Sequence, residues 1–457
     1  MEAMSFRFPS LLAGCVGLLL AAQQPQKVFP YRYVQGDLPN GLRLVTVPTD
    51  FPNIVAVYIV VGAGSRNEVE PGHTGFAHLF EHLMFKGTEK FPEAKYNDTL
   101  KHMGAESNAY TTEDYTCYQT VFSKEDLPTV LMMEADRFQN LHYSEPEFKT
   151  ETLAVLGEYN KDSSSPSDKL EEAVDNAAFV RSTYKHTAMG FLKDIQDMPN
   201  QYQYSLKFFD RYYRPEYTTI IVAGDVKPKA VRDLVDKYWG AWKRGQYVAA
   251  IPVEPAQQAP RTAHVEWPNP TLPMVAIAYK GPAYIDNAKD TAALNAIALL
   301  AFSPASALYQ KLVVKEQKAA SLEAEAPMHV APALFTIVAR VRNPQDLDYV
   351  RQQILATVAA LRDKPVPADK LGAVRRHLRY GFALRMDSSD AVAQVLAPFI
   401  ALRRTPETVN RLYQQFDALT PADIQKAAAH YLTDKQSTVV TLTGPEKLTR
   451  TAEGGGK

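Results

Sequence analysis

Cysteine is scarce in this sequence. Cys15 and Cys117 are the only two in 457 residues, so there is neither a disulfide framework nor a cysteine-type metal site. A charge bias is also missing. Lys and Arg number 50 against 51 Asp and Glu, a formal charge of −1 at pH 7. That balance favours neither nucleic acid nor an anionic membrane surface, and neither is expected as a partner. Near the start the longest apolar run is residues 11–22, preceded by Arg7. It is short for a bilayer span and has the length of a signal-peptide core. Residues 1–22 are therefore expected to be a signal peptide cleaved near Ala22. The mature chain would be exported and periplasmic, without a transmembrane span. Leu12-Ala13-Gly14-Cys15 also resembles a lipoprotein box, which leaves anchoring through Cys15 open, although the apolar core continues past it. The segment is not Arg-rich and begins with Glu2, unlike a mitochondrial presequence. After cleavage only Cys117 remains, so no intramolecular disulfide can form.

What the sequence does contain is an ordinary globular balance, 46% hydrophobic and 22% charged, over a length that calls for two or more domains. It is organised around HTGFAHLFEHLMFKGT, residues 73–88. Phe76, Leu79, Phe80, Leu83 and Met84 recur at helical spacing and Gly87 is a stop, so a helix is expected over residues 75–85. At about 100° per residue, Glu81 falls at roughly −60° and His82 at roughly +40° from His78. The three side chains leave one face. Two imidazoles at i and i+4 can bind one metal, and a carboxylate beside them can take a proton from water. Burying such groups without a partner is costly, which argues against chance placement on so apolar a helix. His-x-x-Glu-His is the inverzincin signature. Five residues are a short pattern, and it requires a third ligand and a matching fold.

Along the chain, residues 32–47 read as two strands around a Pro-Asn-Gly turn, and 54–61 as a buried strand. Helices are expected at 93–103, 124–139, 145–161 and 169–180, with extended strands across 104–122. Residues 208–226 read as a helix end, a turn at Pro215 and a buried strand, followed by a helix at 227–243. Proline-containing residues 246–262 are taken as a linker between an N-terminal domain, 28–245, and a C-terminal domain, 263–447. In the second half, strands are expected at 262–267, 274–279, 333–341 and 437–442. Helices are expected at 291–302, 306–318, 346–362, 367–386 and 388–402, and from Pro421. A similar order of elements in both halves points to an α+β fold of two duplicated domains, only the first with a metal motif.

Taken together, LPNGLRLV, VGAGSRNE, HLFEHLMFKGT, SNAYTT, the helix bearing Glu151 and Glu158, and YYRPEYTTIIVAGDV resemble the pitrilysin family of zinc peptidases. The similarity covers about residues 30–445. It is to the branch of half-length chains that includes bacterial processing peptidases and the mitochondrial processing peptidase β subunit. The resemblance implies two tandem homologous α/β-sandwich domains of the mitochondrial-processing-peptidase-like metallohydrolase type. It implies one Zn²⁺ per chain, held by His78, His82 and Glu158, with Glu81 as catalytic base. Glu151, seven residues before Glu158 and so on nearly the same face, matches a second catalytic acid that orients the ligands and water. Ser107, Asn108, Ala109 and Tyr110 match an edge strand that pairs with the substrate peptide backbone.

One departure sets the expected partner. Self-sufficient members carry an Arg and, seven residues later, a Tyr, in a pattern like LREKRGLAY. Here the matching stretch is LVVKEQKAA, residues 312–320, with Val313 and Ala320 at those two positions. The expectation is a zinc endopeptidase working as a heterodimer with a homologous subunit that carries the Arg/Tyr pair. A self-sufficient homodimeric peptidase and a non-catalytic structural subunit are the alternatives.

Overall fold

A computed structural model describes residues 27–445, and the expected signal peptide and Cys15 lie outside that range. In the first half the chain runs through β1 (Val34–Asp37), β2 (Arg43–Pro48), β3 (Ile54–Val61), α1 (Phe76–Leu83) and α2 (Glu93–Met103). β4 (Glu106–Thr111), β5 (Thr116–Ser123), α3 (Leu127–Asn140), α4 (Glu145–Asp162) and α5 (Pro166–Ala178) follow. α6 (Leu192–Asp197), α7 (Tyr202–Tyr212), β6 (Thr218–Gly224) and α8 (Pro228–Trp239) complete it. The second half contains β7 (Arg261–Glu266), β8 (Met274–Lys280), α9 (Asp290–Phe302), α10 (Ala307–Tyr309), β9 (Ala319–Glu325) and β10 (Leu334–Val341). It ends with α11 (Leu347–Asp363), α12 (Ala368–Leu384), α13 (Ser389–Arg403), α14 (Glu407–Ala418), α15 (Pro421–Tyr431) and β11 (Ser437–Thr443).

The first sheet has the order β1-β2-β6-β3-β5-β4, the second β7-β11-β8-β10-β9. In the first, β2 pairs parallel with β6, and β6, β3, β5 and β4 continue antiparallel. In the second, β7 pairs parallel with β11, and β11, β8, β10 and β9 continue antiparallel. The two sheets thus share one plan, and β1 is the sole addition. β9 occupies in the second sheet the edge position that β4 holds in the first.

The two domains exchange helices. α5, from the first half, lies on β7, β8 and β11. Its Leu170, Val174 and Ala178 pack with Met274, Ala276 and Leu442. α13, from the second half, lies on β3 and β6. Its Val392, Leu396 and Ile400 share a core with Val45, Ala56, Tyr58 and Ile221. Tyr58 donates its hydroxyl to Asp390 at 2.9 Å, and the Arg404 guanidinium donates to the carbonyls of Gly41 and Thr218. Each sheet is therefore covered on one face by its neighbour's helix. The apolar helical run Asp290–Lys315 has the length of a membrane span, but most of it is buried within the protein.

Four stretches differ from the sequence expectation. The helix expected at 306–318 is a short turn, α10, running into π-helical residues Gln310–Lys315. β9 was not anticipated, because AASLEAE is rich in helix formers, and pairing with β10 overrides that preference. α7 and α14 were likewise not delimited, although Val409, Leu412, Tyr413 and Phe416 of α14 form a buried stripe. Between Trp239 and Arg261 there is neither helix nor strand. Glu254 fixes that crossing by accepting the backbone N–H groups of Val180, Arg181 and Ser182 and pairing with Lys280.

Candidate active site

α1 starts at a glycine for a steric reason. Gly75 sits at φ 87°, and a Cβ there would stand 2.7 Å from the Met189 carbonyl. Phe76, Leu79, Phe80 and Leu83 then drive one side of α1 into the core. The other side faces α4, whose own start is fixed by a capping box. Ser144 accepts the Glu147 N–H, and the Glu147 carboxylate accepts the Ser144 N–H at 2.6 Å.

The facing helices bring the donors together. Glu158 Oε2 lies 3.6 Å from His78 Nε2 and 3.3 Å from His82 Nε2. The three ligand atoms all stand within 4.8 Å of one another. Donors held tetrahedrally about 2.0–2.1 Å from zinc are about 3.3–3.4 Å apart, so this spacing fits that ion, as does a set of two imidazoles and a carboxylate. Burial lowers the His78 pKa to about 3, helped by the charge of His82, which leaves the imidazole neutral and able to coordinate.

Glu151 stands at the other nitrogen of His82, 3.5 Å from Nδ1. Its second oxygen takes an ion pair from Lys86 at 2.7 Å. This carboxylate raises the His82 pKa in spite of burial. Lys86 thus holds Glu151, and Glu151 turns the His82 ring so that Nε2 faces Glu158. Glu151 is outside the three-donor cluster. Glu81 is half-buried, and burial raises its carboxyl pKa against the hydrogen bond that Thr111 Oγ1 donates to Oε2 at 2.7 Å. It lines a cavity of about 380 Å³ with His78, Tyr110, Thr111 and Met189. Glu113 and Glu171 border both this cavity and a second one that reaches between α5 and the C-terminal sheet.

Among the described residues β4 forms the outer edge of the first sheet, paired only with β5. Ala109 is buried and donates its backbone N–H to the Asn108 amide oxygen at 2.9 Å, while Asn108 is exposed. Tyr110 lines the cavity, and Ser107 Oγ is buried without a protein partner. Val313 packs against the second core and Ala320 lies on β9. Gln317, between them, has φ 51°, a left-handed backbone at the position where the family pattern LREKRGLAY has its glycine.

Sequence reasoning missed Thr111 and Lys86. Both were within reach of it: Thr111 directly follows Tyr110, and Lys86 is four residues beyond His82, on the same helical face. It also missed Glu68, which lies in the quoted stretch VGAGSRNE but whose partners are distant in sequence.

Comparison with known proteins places the chain. Residues 43–190 match the family described as Insulinase (Peptidase family M16), and residues 201–378 match Peptidase M16 inactive domain. Zinc protease PqqE of Helicobacter pylori is 29% identical over 429 residues, 92% of this chain and 95% of that protein. A probable mitochondrial-processing peptidase subunit beta of Arabidopsis thaliana is 24% identical, across 89% of this chain and 77% of that one. The crystal structure of a protease from Helicobacter pylori superposes with a TM-score of 0.84 at 30% identity, covering 90% of this chain and 99% of that chain. With its two tandem domains, its HxxEH helix and these relatives, the chain belongs to peptidase family M16.

Proposed function

We propose that this chain is a zinc endopeptidase of peptides or unfolded segments, exported to the periplasm. Its first domain, 28–245, carries the chemistry, and its second, 263–447, follows the linker at 246–262. The observation that carries the proposal is the cluster of His78, His82 and Glu158 at zinc-ligand spacing beside a carboxylate on the same helix. Zinc held there would supply a Lewis acid able to polarise a carbonyl and acidify a water. Glu81 takes the proton from that water and returns it to the leaving amide nitrogen. Thr111 holds the Glu81 carboxylate in place through Oε2. Lys86 and Glu151 hold His82. Along the open edge of β4, an extended peptide gains main-chain hydrogen bonds whatever its sequence, with Ser107, Asn108, Ala109 and Tyr110 forming the docking strand.

Val313 and Ala320 offer no side-chain donor for the charge that develops on the carbonyl oxygen. Losing one such donor costs about 3 to 4 kcal/mol. The active form in this reading is a heterodimer with a homologous subunit bearing Arg and Tyr at those positions. The test is peptide cleavage by the isolated chain, with its mass in solution measured alongside. Slow cleavage, raised by the partner and lost again when the partner's Arg is removed, is the expected result. Full activity from a monomer or homodimer refutes the heterodimer and leaves the self-sufficient homodimeric or monomeric peptidase.

A further inference from the structure

Glu68 is buried. Its two oxygens accept the backbone N–H groups of Gly75 and Ala77, each at 2.8 Å. These are donors of the first turn of α1, which no side chain of the helix's own N-cap satisfies, because the cap is Gly75. A carboxylate seven residues upstream therefore does the work of an N-cap, immediately before His78. The same carboxyl group faces His186, whose Nδ1 hydrogen-bonds the Thr187 carbonyl at 3.0 Å and stands 3.8 Å from Glu68 Oε2. His186 is 3% exposed, and its Nε2 is buried without a protein partner. It opens the loop whose Thr187, Ala188 and Met189 wall the cavity at His78 and Glu81. The far end of that loop is tied to the same helix start. Thr74 accepts the Phe191 N–H at 2.8 Å and donates to Asp194 at 2.8 Å. Gly190 lies so close to Gly75 that a Cβ on it would be 2.6 Å from the Gly75 nitrogen.

We infer that Glu68 and His186 are a positioning pair. They fix the rotation and depth of the metal-bearing helix relative to the cavity wall at 187–189, and so the placement of His78 against Glu158. The inference rests on the zinc reading above. A residue that acts through the geometry of a ligand changes metal affinity and ligand-field geometry, whereas one that only stabilises the fold changes melting temperature alone. Partners of this indirect kind typically cost about ten- to a hundredfold in metal affinity when removed.

The experiment compares the full-length mature chain with its Glu68→Gln, Glu68→Asp and His186→Gln variants. Zinc affinity is measured by chelator competition, and the visible absorption of the Co²⁺-loaded protein reports ligand geometry. Circular dichroism monitors folding. Glu68→Gln is expected to weaken zinc by about tenfold or more and to shift the Co²⁺ bands, with partial recovery in Glu68→Asp. His186→Gln is expected to move both readouts in the same direction. Should Glu68→Gln not fold, His186→Gln decides. Wild-type zinc affinity and Co²⁺ spectrum in the folded variants overturn the inference. Absence of zinc binding by the wild-type chain instead overturns the zinc reading, and His82→Ala serves as the control for loss of a ligand.

Discussion

Glu81 and Glu151 are both acids beside His82, and their surroundings separate their proposed roles. Glu151 is held between Lys86 and His82 Nδ1, and these neighbours lower its pKa against the effect of burial. It is engaged on both oxygens and suited to orienting. Glu81 has a hydrogen bond from Thr111 to one oxygen and lines the cavity, with its pKa raised by burial, as a proton acceptor and donor requires. Glu81→Gln keeps the shape and removes the base. Zinc binding should persist while peptide cleavage drops at least about a hundredfold, measured as kcat on a quenched peptide. Near-normal kcat would move the base role to another residue, with Glu151 the first candidate. At this scale the sequence was highly informative where contacts are local. The i, i+3, i+4 pattern of α1 shows its own geometry. Glu158 lies on another helix and became legible only through the family resemblance. Glu68 and His186 were not recognised, because their contacts join residues that no periodicity links.

At the scale of elements, the strand proposed to dock the substrate is β4. Ala109 N–H is satisfied by the Asn108 side chain, and in the proposed docking mode an incoming strand replaces that partner. Ala109→Pro removes the amide at a sheet edge, where proline is tolerated. Zinc content should stay unchanged while KM rises up to about tenfold, the worth of one hydrogen bond. An unchanged KM in steady-state assays would separate β4 from substrate binding. β9 shows why elements can be harder to read than motifs. Its Ala, Glu and Leu residues prefer helix, and the strand exists because β10 offers a ladder from Thr336 to Val341, with a register shift between Arg340 and Val341. The left-handed backbone at Gln317, φ 51°, lies just before the same strand.

For the whole molecule, the exchange of α5 and α13 means that the boundary in sequence is not the boundary in packing. A duplicated order of elements is readable from residue patterns, whereas a helix lying on the other domain's sheet is not. The turn beyond β4 adds a polar tie between the halves. Asp114 accepts hydrogen bonds from His329 Nδ1 at 2.9 Å, from the Val330 N–H at 3.0 Å and from Tyr184 at 2.6 Å. Burial opposes charge on both groups, yet their hydrogen bond and mutual attraction prevail, lowering the Asp114 pKa and raising that of His329. The raised His329 stabilises the fold below its unfolded pKa and loses that effect as pH rises through its folded value. The lowered Asp114 stabilises above its unfolded pKa and loses that effect as pH falls through its folded value. The pair therefore contributes most between about pH 4 and about pH 6.5. The difference in Tm between wild type and His329→Gln should be largest in that window and shrink above it. A difference that is constant from pH 5 to pH 9 would mean that the tie does not depend on the charge of His329.

In the proposed mechanism His78, His82 and Glu158 hold a catalytic zinc. The measurement that tests it most directly is the metal content of the purified mature chain, by inductively coupled plasma mass spectrometry, beside His82→Ala and Glu158→Ala. Three protein ligands with a fourth position open predict about one zinc per wild-type chain and loss of it in each variant whose fold persists. A wild-type chain without zinc after loading, or full zinc in either variant, would contradict the assignment.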